Sequence, residues 1–296
     1  MRNIIYNALK LFDPILNNIN KNRLRVLAYH DIVDPDNLEA QVIHLKSKYN
    51  LINISTLKEH LFNNRGLPSN SVLITLDDGD RSVFTKALPV FKKHHIPSCL
   101  FVVTELINKN KDFWWNTIIK NEKKNGLSQK EIIRVLNEAK SVSNERRLNL
   151  LKKYPTTYQQ QLKTEELIEL KKNGVYIGNH SHTHPMFDKL NRKELVDELS
   201  QVHAFFKSYK IGDSEVFAYP NGNFSESSEH LLHENNIKVA FLFDHKINEK
   251  HINPLRISRL VVNDITPLWK FKLILSGWHG KILPLTRVVG KLKKTV

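Results

Sequence analysis

Apolar and polar positions along this chain follow two rhythms. Short apolar, β-branched runs recur at 24–29, 72–76, 98–103, 175–178, 215–218, 238–243 and 257–262. Between them lie stretches with helical spacing. Residues 192–208 are an example: Asn191 is a ready N-cap, and Leu195, Leu199, Val202 and Phe206 fall on one face. Strands alternating with helices predict a parallel sheet with helices packed outside it. Seven such strands predict an α/β fold of the distorted (β/α)7 barrel type, closed or nearly closed.

Residues 105–163 break this rhythm. They read as polar and helical, an insertion over one face of the barrel. They carry Phe113-Trp114-Trp115. We read these aromatics as core, with the lining of a sugar site as the alternative. At the start of the chain, Ile4, Ile5, Leu9, Phe12, Ile15, Leu16 and Ile19 recur at roughly helical spacing. Residues 1–23 thus form a predicted amphipathic helix, either packed on the body or lying on a membrane surface.

Charge sharpens this division. The net charge is +15, and residues 265–296 hold seven Lys/Arg and no acid. Residues 1–25 hold five Lys/Arg and one acid. The basicity belongs to the ends, so the domain plan is an N-terminal helix, a barrel over 24–264 and a basic amphipathic tail over 265–296. That tail, with Trp269, Leu273, Ile274, Leu275, Trp278, Ile282 and Leu283, fits either a peripheral membrane segment or a solvated helix. The body shows no basic stripe interleaved with aromatics, so no nucleic-acid partner is expected. No run reaches the length of a spanning helix and no signal-peptide pattern appears. The expected location is the cytoplasm, with contact to the inner membrane face. The single cysteine, Cys99, excludes an internal disulfide and reads as a buried strand residue.

Candidate chemistry gathers at strand ends. The 72–76 run leads directly into Asp77-Asp78-Gly79. Ligands collect at the carboxyl ends of parallel strands. Two adjacent carboxylates repel unless a cation or a shared proton intervenes. The alternative is a solvated Asp-Gly turn. After the 175–178 run comes His180-Ser181-His182-Thr183-His184-Pro185. Imidazole is a common ligand for zinc and its neighbours; a solvated histidine loop is the alternative. One carboxylate and two histidines would leave a metal one open position. The second carboxylate would stand close enough to take a proton from water.

On these motifs the chain resembles a polysaccharide deacetylase of carbohydrate esterase family 4. Thr75-Leu76-Asp77-Asp78-Gly79 is similar to the family's Thr-Phe-Asp-Asp-Gly, and His180 through His184 to its His-Ser/Thr-x-x-His. The resemblance implies Asp77 as base and Asp78, His180 and His184 as metal ligands. It implies an oxyanion site at Tyr219-Pro220-Asn221, through the Asn221 N–H. The usual arginine upstream of that proline is absent, and Arg259 is the expected stand-in that orients Asp77. The usual C-terminal Leu-x-His is also absent. His30, at the end of the first strand, resembles the acid of the permuted poly-N-acetylglucosamine deacetylase branch; its alternative role is structural.

The implied activity is hydrolysis of N-acetyl groups on an amino sugar, in a polysaccharide or lipid-linked precursor. The implied cofactor is a divalent metal, with zinc favoured by the ligand set and cobalt, nickel or manganese able to occupy it. O-deacetylation, N-deformylation and a non-catalytic carbohydrate-binding role are the alternatives. Sequence does not fix the oligomeric state.

Overall fold

The computed structural model describes residues 19–278. Its strands are β1 (Arg25–Tyr29), β2 (Asn50–Leu51), β3 (Ser71–Leu76), β4 (Ser98–Val102), β5 (Val175–Asn179), β6 (Val216–Ala218), β7 (Val239–Phe241) and β8 (Leu260–Val261). They form one sheet in the order β7-β6-β5-β4-β3-β1-β8, with β2 beside β3. Every strand pair is parallel.

The two edges of this curled sheet meet. Ile257 forms a parallel bridge with Phe241. Ile257 N donates to Ala240 O at 2.9 Å, and Leu242 N donates to Ile257 O at 2.8 Å. The segment from Ile257 to Val261 therefore links β7 to β1 and completes a distorted barrel. The seven strands expected from the sequence are all present: β1, β4 and β6 a residue shorter, β3 and β5 a residue longer, and β7 and β8 three and four residues shorter. β2 was not foreseen, because two residues are too few to show a period.

Side-chain alternation builds two cores. Val26, Leu73, Cys99, Phe101, Val216, Val239, Phe241 and Ile257 pack together on one face of the sheet. Leu27, Ile74, Leu76, Leu100 and Ile177 pack on the other with Val42, Phe91, Leu167 and Phe206 from the outer helices. Cys99 is a buried free thiol, as expected. Asp77 and Arg259 share the parity of Leu73 and Ile257, so they continue the inner series upward.

The helix Arg192–Tyr209 forms as its pattern predicts. Asn191 accepts from Glu194 N, and Glu194 returns the bond to the Asn191 backbone in a capping box. The insertion folds as helices Trp114–Lys124, Gln129–Ser141 and Asn144–Leu151.

The boundary at residue 264 is corrected by the structure. The helix Leu268–Ser276 buries Phe271, Leu273, Ile274 and Leu275. Phe271, Ile274 and Leu275 join the outer core beside Leu38, Val42 and Leu45. Its C-terminal carbonyls are capped from the first strand region. Arg25 Nε donates to Leu275 O at 2.8 Å, and Asn20 Nδ2 to Ser276 O at 3.0 Å. This part of the expected tail is therefore barrel, because its apolar face has a core to bury against. Residues 279–296 of that tail and residues 1–18 of the helix expected over 1–23 lie outside the described residues; residues 20–23 are turn and bend rather than helix. No helix among the described residues is long and apolar enough to cross a membrane.

Candidate metal and catalytic site

Two loops at the carboxyl ends of β3 and β5 carry the expected ligands. Asp77 N extends the β1–β3 pairing by donating to Tyr29 O at 2.9 Å. The chain then turns sharply, with φ of 71° at Asp78 and 81° at Gly79. At Gly79 a Cβ would also lie 3.2 Å from Val102 Cγ1. After β5, Ser181 (φ 69°) and His184 (φ 56°) hold the same unfavourable region. Left-handed backbone at these ligand loops costs free energy, so surrounding bonds must impose it.

Those bonds are visible. Asn179 Oδ1 accepts from Ser181 N at 2.7 Å, and Ser181 Oγ accepts from His184 N at 3.0 Å. Glu198, buried on the helix Arg192–Tyr209, accepts from His182 N at 2.8 Å and Thr183 N at 2.9 Å. Its other oxygen accepts from Thr183 Oγ1 at 2.6 Å. One carboxylate thereby fixes the middle of the histidine loop.

The loops bring Asp78, His180 and His184 together. Asp78 Oδ1 lies 3.4 Å from His180 Nε2 and 3.5 Å from His184 Nε2. The three ligand atoms all fall within 4.8 Å of one another. His180 Nδ1 lies 2.8 Å from Ala218 O. A carbonyl only accepts, so Nδ1 carries the proton and Nε2 presents its lone pair to the cluster. Trp114 Nε1 donates to His184 O at 3.1 Å, and the Trp115 ring lies 4.5 Å from the His184 ring.

Electrostatics follow this geometry. Burial raises the Asp78 carboxyl, but its contacts with His180, His30 and His184 hold it far below the usual carboxylate range. Burial and the neighbouring His180 push His184 down to about 3, so its imidazole is neutral. For His180, burial lowers and Asp77 and Asp78 raise, with a net upward shift. One carboxylate and two imidazole nitrogens suit a divalent cation with a position left open, so the donor set fits the implied metal.

Asp77 stands beside this cluster, buried and bound by Arg259. Arg259 Nη1 donates to Asp77 Oδ1 at 2.6 Å and Nη2 to Oδ2 at 2.7 Å. Arg259 is itself held by Leu242 O at 2.7 Å and Thr75 Oγ1 at 3.2 Å. Burial raises the Asp77 carboxyl, yet Arg259, then His180, outweigh it and keep Asp77 ionised. His30 Nε2 is 4.0 Å from Asp77 Oδ2. The His30 ring packs edge-on to Phe243 at 5.3 Å.

A cavity of about 240 Å³ is lined by His30, Asp77, Asp78, His180, His184 and Asn221, joined by Trp115, Leu136, Lys140, Tyr219, Gly222 and Phe243. Arg259 stands behind Asp77. Pro220 is buried, and the Tyr219 ring packs on Phe217 and Phe224. Asn221 turns at φ 58°. A larger cleft of about 820 Å³, between the helix Arg192–Tyr209 and residues 212–215 and 234–238, contains none of the cluster.

Trp115, Leu136 and Lys140 were not assigned to the site from sequence. The Trp115 ring stacks on buried Phe113 at 4.7 Å while also facing His184, so the core reading holds for one side of the ring only. Tryptophan in an otherwise polar insertion was the available signal. Leu136 and Lys140 gave none.

The parallel barrel thus carries at its mouth an Asp-His-His cluster that could hold a divalent cation, beside a carboxylate–arginine pair. The family model described as polysaccharide deacetylase matches residues 64–240, and the chain belongs to that family. It is 24% identical over 238 residues to a poly-beta-1,6-N-acetyl-D-glucosamine N-deacetylase of Staphylococcus epidermidis. That match covers 76% of this chain and 65% of the relative, so the chain spans just under two thirds of the relative's length. The fold is shared with IcaB from Ammonifex degensii, at 19% identity and a TM-score of 0.64, over 86% of this chain and 97% of that one. It is shared also with Streptococcus pyogenes deacetylase PplD in complex with acetate, at 16% identity and a TM-score of 0.62, over 83% of this chain and 95% of that one.

Proposed function

We propose that this protein hydrolyses N-acetyl groups on an amino sugar of a polysaccharide or lipid-linked glycan precursor. The observation that carries this reading is Asp77, held from behind by Arg259 and set in one cavity with His30 and the Asp78-His180-His184 cluster. An ionised carboxylate is thereby held next to a cation site yet kept out of its ligand set.

A divalent cation held by Asp78, His180 and His184 would supply a Lewis acid that polarises the acetyl carbonyl and acidifies the attacking water. Zinc suits these ligands best, and cobalt, nickel and manganese accept them too. Asp77 takes the proton of that water. Arg259 keeps Asp77 ionised beforehand and fixes both of its oxygens. The Asn221 N–H donates to the oxyanion of the tetrahedral intermediate. His30 gives a proton to the departing nitrogen, and the products are acetate and the free amine. The Trp115 face offers a sugar-stacking wall beside His184.

The family and the named activity of the S. epidermidis relative support this assignment. We place the protein on the cytoplasmic side, in contact with the membrane: five Lys/Arg and no acid in residues 279–296 suit an anionic lipid surface, where a lipid-linked precursor would be held.

The test is to incubate the metal-loaded chain with N-acetylated, N-formylated and O-acetylated sugars and lipid-linked precursors. Acetate with an equal yield of free amine is expected. Release of formate alone, or of acetate with a free hydroxyl alone, would overturn the assignment.

A further inference from the structure

The insertion brings to the site two cations that form no direct ion pair among the described residues; Asp78 acts on Lys140 only through space. Lys140 lines the 240 Å³ cavity, and its Nζ donates to the neutral Asn221 Oδ1 at 2.8 Å. Arg147 is only 2% exposed and lines an adjoining groove of about 570 Å³. The groove and the cavity share Trp115 and His184. Among the described residues, no carboxylate oxygen comes within 4.0 Å of either cation.

Arg147 is the more telling of the two. Its Nε and Nη2 donate only to Asn144 Oδ1 on its own helix, at 3.2 and 2.7 Å. Its guanidinium lies 5.4 Å from the centre of the Trp114 ring. The acids that act on it through space, Glu198, Glu105 and Glu194, are all engaged elsewhere. Glu198 holds the histidine loop. Glu105 pairs with Lys111 at 2.8 Å. Glu194 caps its helix and accepts from Asn144 Nδ2 at 3.1 Å. A buried charge costs free energy unless it is paired. The carboxylates lining the groove, Glu105 and Asp112, are paired with Lys111 and Lys120, whereas Arg147 and Lys152 have no carboxylate partner among the described residues, so the groove can receive an anion at Arg147.

We propose that the groove between Arg147 and Lys140 is a subsite for an anionic substituent, phosphate or carboxylate, carried by the N-acetylated substrate next to the acetamido group. The inference rests on the deacetylase reading for the substrate's orientation. The acetamido group sits at Asp78, His180 and His184. The sugar lies along Trp115, and the anion reaches toward Arg147 with Lys140 closing the other side. These side chains determine specificity and take no part in the bond cleavage.

The experiment is equilibrium binding to the metal-loaded full chain, by calorimetry. The probes are N-acetylglucosamine, N-acetylglucosamine 1-phosphate, N-acetylmuramic acid and inorganic phosphate. At least one anionic sugar should bind about tenfold or more tightly than the neutral one, as expected for a charge-assisted bond. Which anionic sugar gains separates phosphate from carboxylate. That advantage should fall about tenfold in both Lys140→Gln and Arg147→Gln and persist in Arg147→Lys. If Arg147→Gln loses its thermal unfolding transition, Lys140→Gln and Arg147→Lys carry the test. Equal binding of neutral and anionic sugars would overturn the proposal. So would an advantage undiminished in the Gln variants, which would put the anion on the metal alone. Because binding is read without turnover, an anion advantage with no acetate release would sink the deacetylase reading and leave the subsite. Acetate release without an anion advantage would do the reverse.

Discussion

Arg259 grips Asp77 across 182 residues of sequence, with Nη1 and Nη2 donating to separate carboxylate oxygens at 2.6 and 2.7 Å. Arg259 is fully buried and Asp77 only 2% exposed, so little water is available to either charge. Arg259→Ala should leave a buried, unpaired carboxylate. Breaking such a pair costs about 3–5 kcal/mol, and thermal unfolding should report it. In the wild type Asp77 has a lowered pKa, so its base function is present above that value and is lost as pH falls through it. Without Arg259 the desolvation that raises Asp77 is unopposed by its main partner. The acidic limb of the kcat/KM profile should therefore move to higher pH, with activity near neutrality reduced about a hundredfold or more. An unmoved limb would remove Arg259 from the mechanism.

Glu198 tests how the histidine loop is held. Its two oxygens collect three hydrogen bonds from His182 and Thr183. Glu198→Ala should free the loop that places His184, and metal affinity should fall about 10- to 100-fold, the usual effect of losing a supporting bond network. Metal titration of the purified variant reads this directly. Unchanged affinity would mean that the Ser181 and Asn179 bonds suffice.

Gly222 combines two constraints. Its φ is +73°, and a Cβ there would lie 2.5 Å from Phe243 Cβ and 2.6 Å from Phe243 N. Phe243 supports the His30 ring. Gly222→Ala should lower the unfolding temperature and cut kcat at least about tenfold, because misplacement near 1 Å is costly to catalysis. A variant with wild-type activity and stability would show that this turn can relax.

The grouping of Asp78, His180 and His184 beside Asp77 was legible in the sequence because both segments follow apolar strands. Strand ends converge at one mouth in this architecture, so Asp77-Asp78 and His180 through His184 had to meet. His30 and Arg259 were legible only as stand-ins for family residues missing from their usual places; the 4.0 Å and 2.6 Å approaches to Asp77 give those expectations geometry. Lys140 was not legible. It reaches Asn221 from 81 residues away, by a fold-back of the insertion that no local pattern encodes. The 268–276 helix was misread for a related reason. Lys270 and Lys272 beside Leu273, Ile274 and Leu275 suit a membrane surface as well as a barrel flank. Only the presence of Leu38, Val42 and Leu45 opposite decides between them.

The most direct test compares acetate release by the metal-loaded wild type and by Asp77→Asn on the same N-acetylated sugar, with metal content measured in both. Asp77 lies beside the ligand set rather than in it, and Asn keeps the side chain's shape while removing its capacity as a base. The expected result is equal metal content with turnover reduced by a factor of about a thousand or more. Wild-type turnover by the Asn variant at equal metal content would contradict the account.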